Sequence, residues 1–432
     1  MTIEANQTEN TEPDTLPEEQ HPIKVVINSF VHKILDIHEC AATFIPMAAI
    51  EHNQNIENIE SALEKASKHF EDSDQQIKLS AIKDIREVDR KAKRIINSNL
   101  TETLEKSLYV NIFSAFDQFT GDLISILYHK KPELFNSINK EIKLSEALQF
   151  NSLDELRMVV LEKEIETLKR KSYSEQFKEM EKMFSVSLTK FEDWPHFIEN
   201  SQRRNLFTHC DGIVSEQYIQ ICKDIGAPLI KDLSVGSQLE IGASYFNDAC
   251  ERITEVAVML AQTLWRKMFP EEIEIADNQL HELIFDFLHM EYWGLSIKLS
   301  KFATTLPNIS SEQINRINIV NYAIALYGSD RKQEAISLLN KTDWSASTYD
   351  FKLAFAVLTD DYQESRKLML LIGKQGELIS ELSYIDWPLF KYFRENKYFL
   401  ETYEEIYGYP YISKALKEAE KTKEEAQTVN NS

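Results

Sequence analysis

Residues 103–127 read TLEKSLYVNIFSAFDQFTGDLISIL. Leu108, Val110, Ile112, Phe113, Phe116, Phe119, Leu123, Ile124 and Leu127 recur at helical spacing, yet they cover more than one face of the helix they predict. A helix that is apolar on several faces belongs inside a bundle rather than on a surface. The same stretch holds Gly121, the first glycine of the chain, and there are only 10 glycines in 432 residues. Average usage would give roughly three times as many. A chain with so little glycine has little use for tight turns or glycine-rich loops. Neither G-x-G-x-x-G nor G-x-x-x-x-G-K-[ST] occurs, and Gly373 and Gly376 lie close together without making either pattern. This argues against Rossmann, P-loop and β-sandwich architectures, and the expected fold class is all-α.

Outward from this helix the chain divides into five segments. Residues 1–21 hold six acidic residues, two prolines and no Lys or Arg, the composition of a disordered acidic tail and unlike a signal peptide. Residues 22–100 read as an N-terminal helical extension. In it Val25, Ile27, Phe30, Val31 and Ile34 form one stripe, and the charged stretch after residue 56 packs a single narrow face. Residues 101–269 form a helical domain that closes with an apolar helix over residues 243–268. Its longest apolar run, Ile253–Trp265, is broken by Thr254, Glu255 and Gln262, too short and too polar to span a bilayer. After Pro270, residues 270–413 read as short helical hairpins. Ala323–Tyr327, Asp330 and Glu334–Leu339 recur as Ala354–Leu358, Asp361 and Glu364–Met369, 30–31 residues later, and Trp387–Phe390 through Tyr403 offers a third unit. This resembles tetratricopeptide-type repeats with a short period and without the full signature. Residues 414–432 read as a charged helix fraying into a tail.

The net charge of −22 means that any contact with nucleic acid must be local. The expected compartment is the cytoplasm, with no contact with a membrane. Cys40, Cys210, Cys222 and Cys250 lack C-x-x-C spacing, so neither a disulfide framework nor a zinc site is expected, and Cys222 and Cys250 read as small core residues. His38-Glu39-Cys40 occupies adjacent helical positions that point apart. His281-Glu282 begins the zincin pattern, but Phe285 stands where its second histidine would be; His289, eight residues on, lacks a third ligand. No G-x-S-x-G is present. No metal or cofactor is called for.

One constellation remains, Ser201-Gln202-Arg203-Arg204-Asn205-Leu206-Phe207-Thr208-His209-Cys210-Asp211-Gly212, at the end of a helix with Asp193 as N-cap and Pro195 in its first turn. An Arg a few residues before a His is by itself cheap. With 13 Arg and 10 His in the chain, about one such match is expected by chance. The context adds the polar Asn205 directly after Arg204, the helix end marked by Gly212, and Asp117 on the core helix upstream.

With these residues the segment from about residue 100 to 268 resembles the HEPN superfamily, helical-bundle ribonucleases of prokaryotic toxin, anti-phage and RNA-processing systems. The resemblance implies Arg204, Asn205 and His209 as catalytic residues, with Asp117 as the acidic partner on the earlier helix. Arg203 also satisfies the spacing, so the motif leaves open which arginine acts. A branch of the superfamily carries a modifiable Tyr two residues after the His; here that position is Asp211. Chemically, imidazole can take the 2′-OH proton or protonate the leaving 5′-oxygen. A guanidinium fork can hold the phosphorane's charge. The basic run Lys169-Arg170-Lys171, with Arg203, is a candidate RNA-holding patch. Residues five apart on a straight helix differ by about 140°, so the helix must end near His209 or the site must be completed across a homodimer. The expected function is a metal-independent endoribonuclease in phage defence, abortive infection or a toxin-type switch. Its C-terminal hairpins would bind a regulator, antitoxin or sensor partner. The rival reading is a non-catalytic helical scaffold or sensor subunit.

Overall fold

The computed structural model describes residues 20–70, 74–138 and 141–429. Helices account for 77% of the described residues. Among the described residues no strand forms, only one antiparallel bridge between Ile213 and Gln238. The fold is all-α. The predicted acidic tail lies outside the described residues except for Gln20 and His21. His21 is no tail residue: its ring stacks on Trp265 at 4.4 Å, beside Glu272.

The first nine helices are α1 (Pro22–Phe70), α2 (Gln75–Ile96), α3 (Leu100–Lys130), α4 (Leu144–Ala147), α5 (Leu153–Lys169), α6 (Tyr173–Phe184), α7 (Trp194–His209), α8 (Glu216–Asp224) and α9 (Ala243–Met268). The apolar α3 is central, as its pattern requires. It packs against α1, α5, α7 and α9, and Tyr109, Ile112, Phe113, Phe116, Leu123 and Leu127 are buried. The early part of α1 is no extension. Ile23, Ile27, Phe30, Val31, Ile34 and Ile37 form a buried stripe against α3 and α9, while Val25 falls off the stripe and is exposed. Beyond Ala41 only Ala66 is fully buried among the described side chains of α1, and α2, which packs on α1, fully buries only Ala81. Pro46 sits inside α1 near this change, where a lost backbone hydrogen bond is cheapest because the helix is leaving the core.

Pro270 begins a single 3₁₀ turn but does not end the packing. α10 (Ile273–His289) and α11 (Trp293–Thr305) continue the core of α9. Then follow α12 (Glu312–Gly328), α13 (Lys332–Leu339), α14 (Tyr349–Leu358), α15 (Tyr362–Ile372), α16 (Glu381–Asp386), α17 (Lys397–Tyr407) and α18 (Tyr411–Val429). The pairs α10–α11, α12–α13 and α14–α15 turn in the same way. Glu291, Asp330 and Asp360 adopt left-handed φ of 60°, 62° and 59°. The next amide of each, Tyr292, Arg331 and Asp361, donates to the carbonyl five residues back at 2.9 Å. This is the helix-ending turn that glycine usually makes. In a glycine-poor chain, acidic residues adopt the left-handed conformation instead. The proposed third unit differs: Pro388–Phe390 and Phe393–Glu395 are 3₁₀ turns, not a helix. No helix among the described residues is long and apolar enough to cross a membrane.

Candidate active site

α7 ends at His209. Cys210 caps it, and Asp211 and Gly212 follow with φ of 51° and 86°. A Cβ on Gly212 would lie 2.6 Å from the Phe207 ring, so glycine is required there by space as well as by φ. The returning chain is pinned to residues 236–239: Val214 N–H donates to Ser237 O, Gly236 N–H to Val214 O, and Leu239 N–H to Gly212 O. From α3, Lys106 Nζ donates to Asp211 Oδ1 at 2.6 Å. At the other end Asp193 holds the N-cap position but makes no cap hydrogen bond; its carboxylate pairs with Lys298 instead.

Neighbouring arginines on α7 have opposite surroundings. Arg203 is buried. Its Nε donates to Glu199 Oε1 at 2.8 Å, and its guanidinium lies 3.8 Å from the Tyr245 ring centroid. Tyr218 Oη and Tyr245 Oη donate to the two oxygens of Glu199 at 2.6 and 2.7 Å. Tyr109 Oη donates to Asn200 O at 2.8 Å. Burial works against the Arg203 charge, but the phenol and carboxylate groups around it raise its pKa above the ordinary arginine value. Arg203 is thus a structural ion-pair partner. It presents nothing to RNA, contrary to the expectation from spacing.

Arg204 faces another way. Its Nη1 donates to Asn205 Oδ1 at 3.1 Å, and its Nη2 lies 3.8 Å from Asp117 Oδ2 on α3. Its buried Nε has no hydrogen-bond partner among the described residues. Tyr173 Oη, at the start of α6, donates to Asp117 Oδ1 at 2.7 Å. Burial raises the Asp117 pKa, outweighing the Tyr173 hydrogen bond and the charges of Arg204 and Lys169. Lys169 reaches this group by passing over α3: a Cβ on Gly121 would lie 2.5 Å from Lys169 Nζ. Arg170 and Lys171 do not join it. They pair with Glu166 and Glu179, so the basic triplet contributes one cation to the site rather than a patch.

His209 is the last helical residue. Its side chain is exposed and makes no hydrogen bond or ion pair with any described residue. The helix is regular through it, so Arg204 and His209 leave α7 about 140° apart. Leu206 and Phe207 beside the motif are core residues of the single chain and offer no apolar surface to a second copy, whereas Ile213 is about half exposed. Sequence reasoning missed Tyr173, for which no local signal exists, and Glu199, whose signal was its place four residues before Arg203.

The other candidates stay apart. His38 Nδ1 is 3.4 Å from Tyr292 Oη, and His281 Nδ1 is 3.3 Å from Asn321 Nδ2. Among the described residues no group of three or more His, Cys, Asp or Glu is placed to hold a metal ion. Cys222 and Cys250 are buried, and burial pushes both thiols up to about 12. Compared with protein families, with curated proteins and with solved structures, the chain gives no match.

Proposed function

We propose that the chain is a metal-independent endoribonuclease of HEPN type. The observation that carries this reading is the Asp117–Arg204–Asn205 cluster on α3 and α7, with an exposed His209 five residues beyond Arg204 on α7. In the proposed reaction His209 moves the proton at the 2′-OH or at the leaving 5′-oxygen. The 2′-oxygen attacks the phosphorus and the bond to the 5′-oxygen breaks. The products are a 2′,3′-cyclic phosphate and a free 5′-hydroxyl. Arg204, aimed by Asp117, neutralises the phosphorane, and Asn205 orients the guanidinium. Because the two side chains diverge on one helix, a site is completed by Arg204 of one copy and His209 of the other in a two-fold homodimer. The helices from α10 onward, a hairpin array of tetratricopeptide type, would dock a regulator, antitoxin or sensor. The biological setting we propose is phage defence or a toxin-type growth switch in the cytoplasm.

Incubating the purified chain with RNA in EDTA tests this. Wild-type protein should cleave and leave cyclic phosphate ends. The His209→Ala protein should cleave about 10²-fold more slowly or worse. A folded His209→Ala protein cutting at the wild-type rate would end the proposal. A non-catalytic scaffold or sensor subunit is the second reading, favoured by the absence of a described group that orients His209. It predicts no cleavage under any condition.

A further inference from the structure

Within a chain of net charge −22, α2 carries Lys78, Lys83, Arg86, Arg90, Lys91, Lys93 and Arg94 against Asp84, Glu87 and Asp89. Lys91 and Lys93 are spent on Glu87 and Asp89. Lys83, Arg86, Arg90 and Arg94 have no ion pair among the described residues, and all four are exposed. Their spacing of three, four and four residues places them on one helical face, about 80° wide and about 16 Å long. Ala81, Ile85, Val88 and Ala92 occupy the opposite face. They are buried or half-buried, on the helix that packs against α1.

We infer that this stripe is a binding surface for the phosphate backbone of RNA. As the substrate-holding surface of the nuclease it rests on the function proposed above; as a binding surface it stands alone. Three features favour RNA. The Cβ atoms of neighbouring members lie about 5–6 Å apart, so their cations can form a ladder along one strand. Three of the four are arginines, which fork onto phosphate oxygens. The apolar residues opposite the stripe, Ala81, Ile85, Val88 and Ala92, pack toward α1, and the exposed Ile77, Leu79 and Ile96 lie scattered near the helix ends rather than as the continuous apolar face a membrane-surface helix needs. The position also fits. Through residues 97–99 α2 runs into α3, whose first turns carry Lys106, hydrogen-bonded to Asp211 two residues beyond His209. RNA lying on the stripe would be led toward the end of α7.

The test measures binding of a labelled single-stranded RNA to the full chain by fluorescence anisotropy across a salt series, in the His209→Ala background so that cleavage does not interfere. The stripe variant carries Lys83→Gln, Arg86→Gln, Arg90→Gln and Arg94→Gln. A control variant loses the same charge elsewhere through Lys341→Gln, Lys352→Gln, Lys367→Gln and Lys374→Gln. Circular dichroism checks helix content, and light scattering checks assembly. The stripe variant should bind about tenfold more weakly or worse, with a salt slope shallower by about 3; the control should bind like its parent. Equal binding by the stripe variant, equal weakening in the control, or loss of assembly as the sole effect of the stripe variant would each overturn the inference. So would stripe-dependent binding to anionic vesicles without binding to RNA. Stripe-dependent RNA binding by a protein that never cleaves RNA would retain the surface and reject the nuclease.

Discussion

Arg203 and Arg204 are adjacent in the chain, each satisfies the same motif spacing, and the fold treats them in opposite ways. Arg203 is enclosed by Glu199, Tyr218 and Tyr245, so that every charge is answered inside the bundle. Arg204 meets Asp117 at 3.8 Å, keeps an unpartnered buried Nε, and stays partly open to solvent. A rotation of about 100° per residue is enough to separate them. Motif spacing alone therefore identifies two candidates, and their surroundings separate a residue enclosed by its own bundle from one still open to a ligand.

The largest expected contrast is in stability. Arg203→Ala leaves Glu199 buried without its cation and should cost about 3–5 kcal/mol. Arg204→Ala removes a partly exposed pair and should cost about 1 kcal/mol or less. Chemical denaturation of both variants measures the difference; equal losses would erase the distinction between the two arginines. The next effect is on catalysis. Arg204→Lys keeps the charge but not the fork, and cleavage should fall about 10²-fold with little change in denaturation midpoint.

Asp117→Asn sharpens the comparison because its effects on stability and activity should have opposite signs. Burial raises the Asp117 pKa in the folded protein. Between its unfolded value and that raised folded value the unfolded chain binds fewer protons, so this group's contribution falls as pH rises. Asn removes the penalty. The variant should be as stable as wild type or slightly more so at neutral pH, with a flatter acid-side stability profile, while cleavage falls about tenfold because Arg204 is no longer aimed. A marked loss of stability would make Asp117 a structural partner like Glu199. Tyr173→Phe should have the smallest effect on cleavage, a modest loss of rate, with a stability cost of about 0.5–1.5 kcal/mol from the lost hydrogen bond to Asp117. The same denaturation and cleavage assays read both.

The all-α class was legible because glycine scarcity and the apolar α3 both report local constraints. The left-handed turns at Glu291, Asp330 and Asp360 were harder to read, since nothing local distinguishes an acidic residue with positive φ from one with negative φ. What marks the hairpins α12–α13 and α14–α15 in the sequence is the alternating alanines of Ala323–Tyr327 and Ala354–Leu358; α10 has Ile284-Phe285-Asp286-Phe287-Leu288 there, so the hairpin α10–α11 is not legible although its turn matches theirs. At the candidate site, Asp117 and Arg204 were legible and do meet. Arg203 was misread because its burial depends on Glu240, Tyr218 and Tyr245, which approach from elsewhere in the chain. The basic triplet was misread for a related reason: Lys169 crosses at Gly121, while its neighbours fold back onto Glu166 and Glu179. The mid-helix glycine, costly in a chain that avoids glycine, was the available clue.

Mixing two inactive variants tests the central claim that one site draws Arg204 and His209 from different copies. Arg204→Lys and His209→Ala proteins would be unfolded together, refolded together and assayed on RNA in EDTA. Random pairing makes about half of the dimers mixed, and each mixed dimer holds one intact site of two, so about a quarter of wild-type cleavage should return. No recovery from a mixture shown to contain mixed dimers, alongside an active wild-type protein, would contradict the shared site.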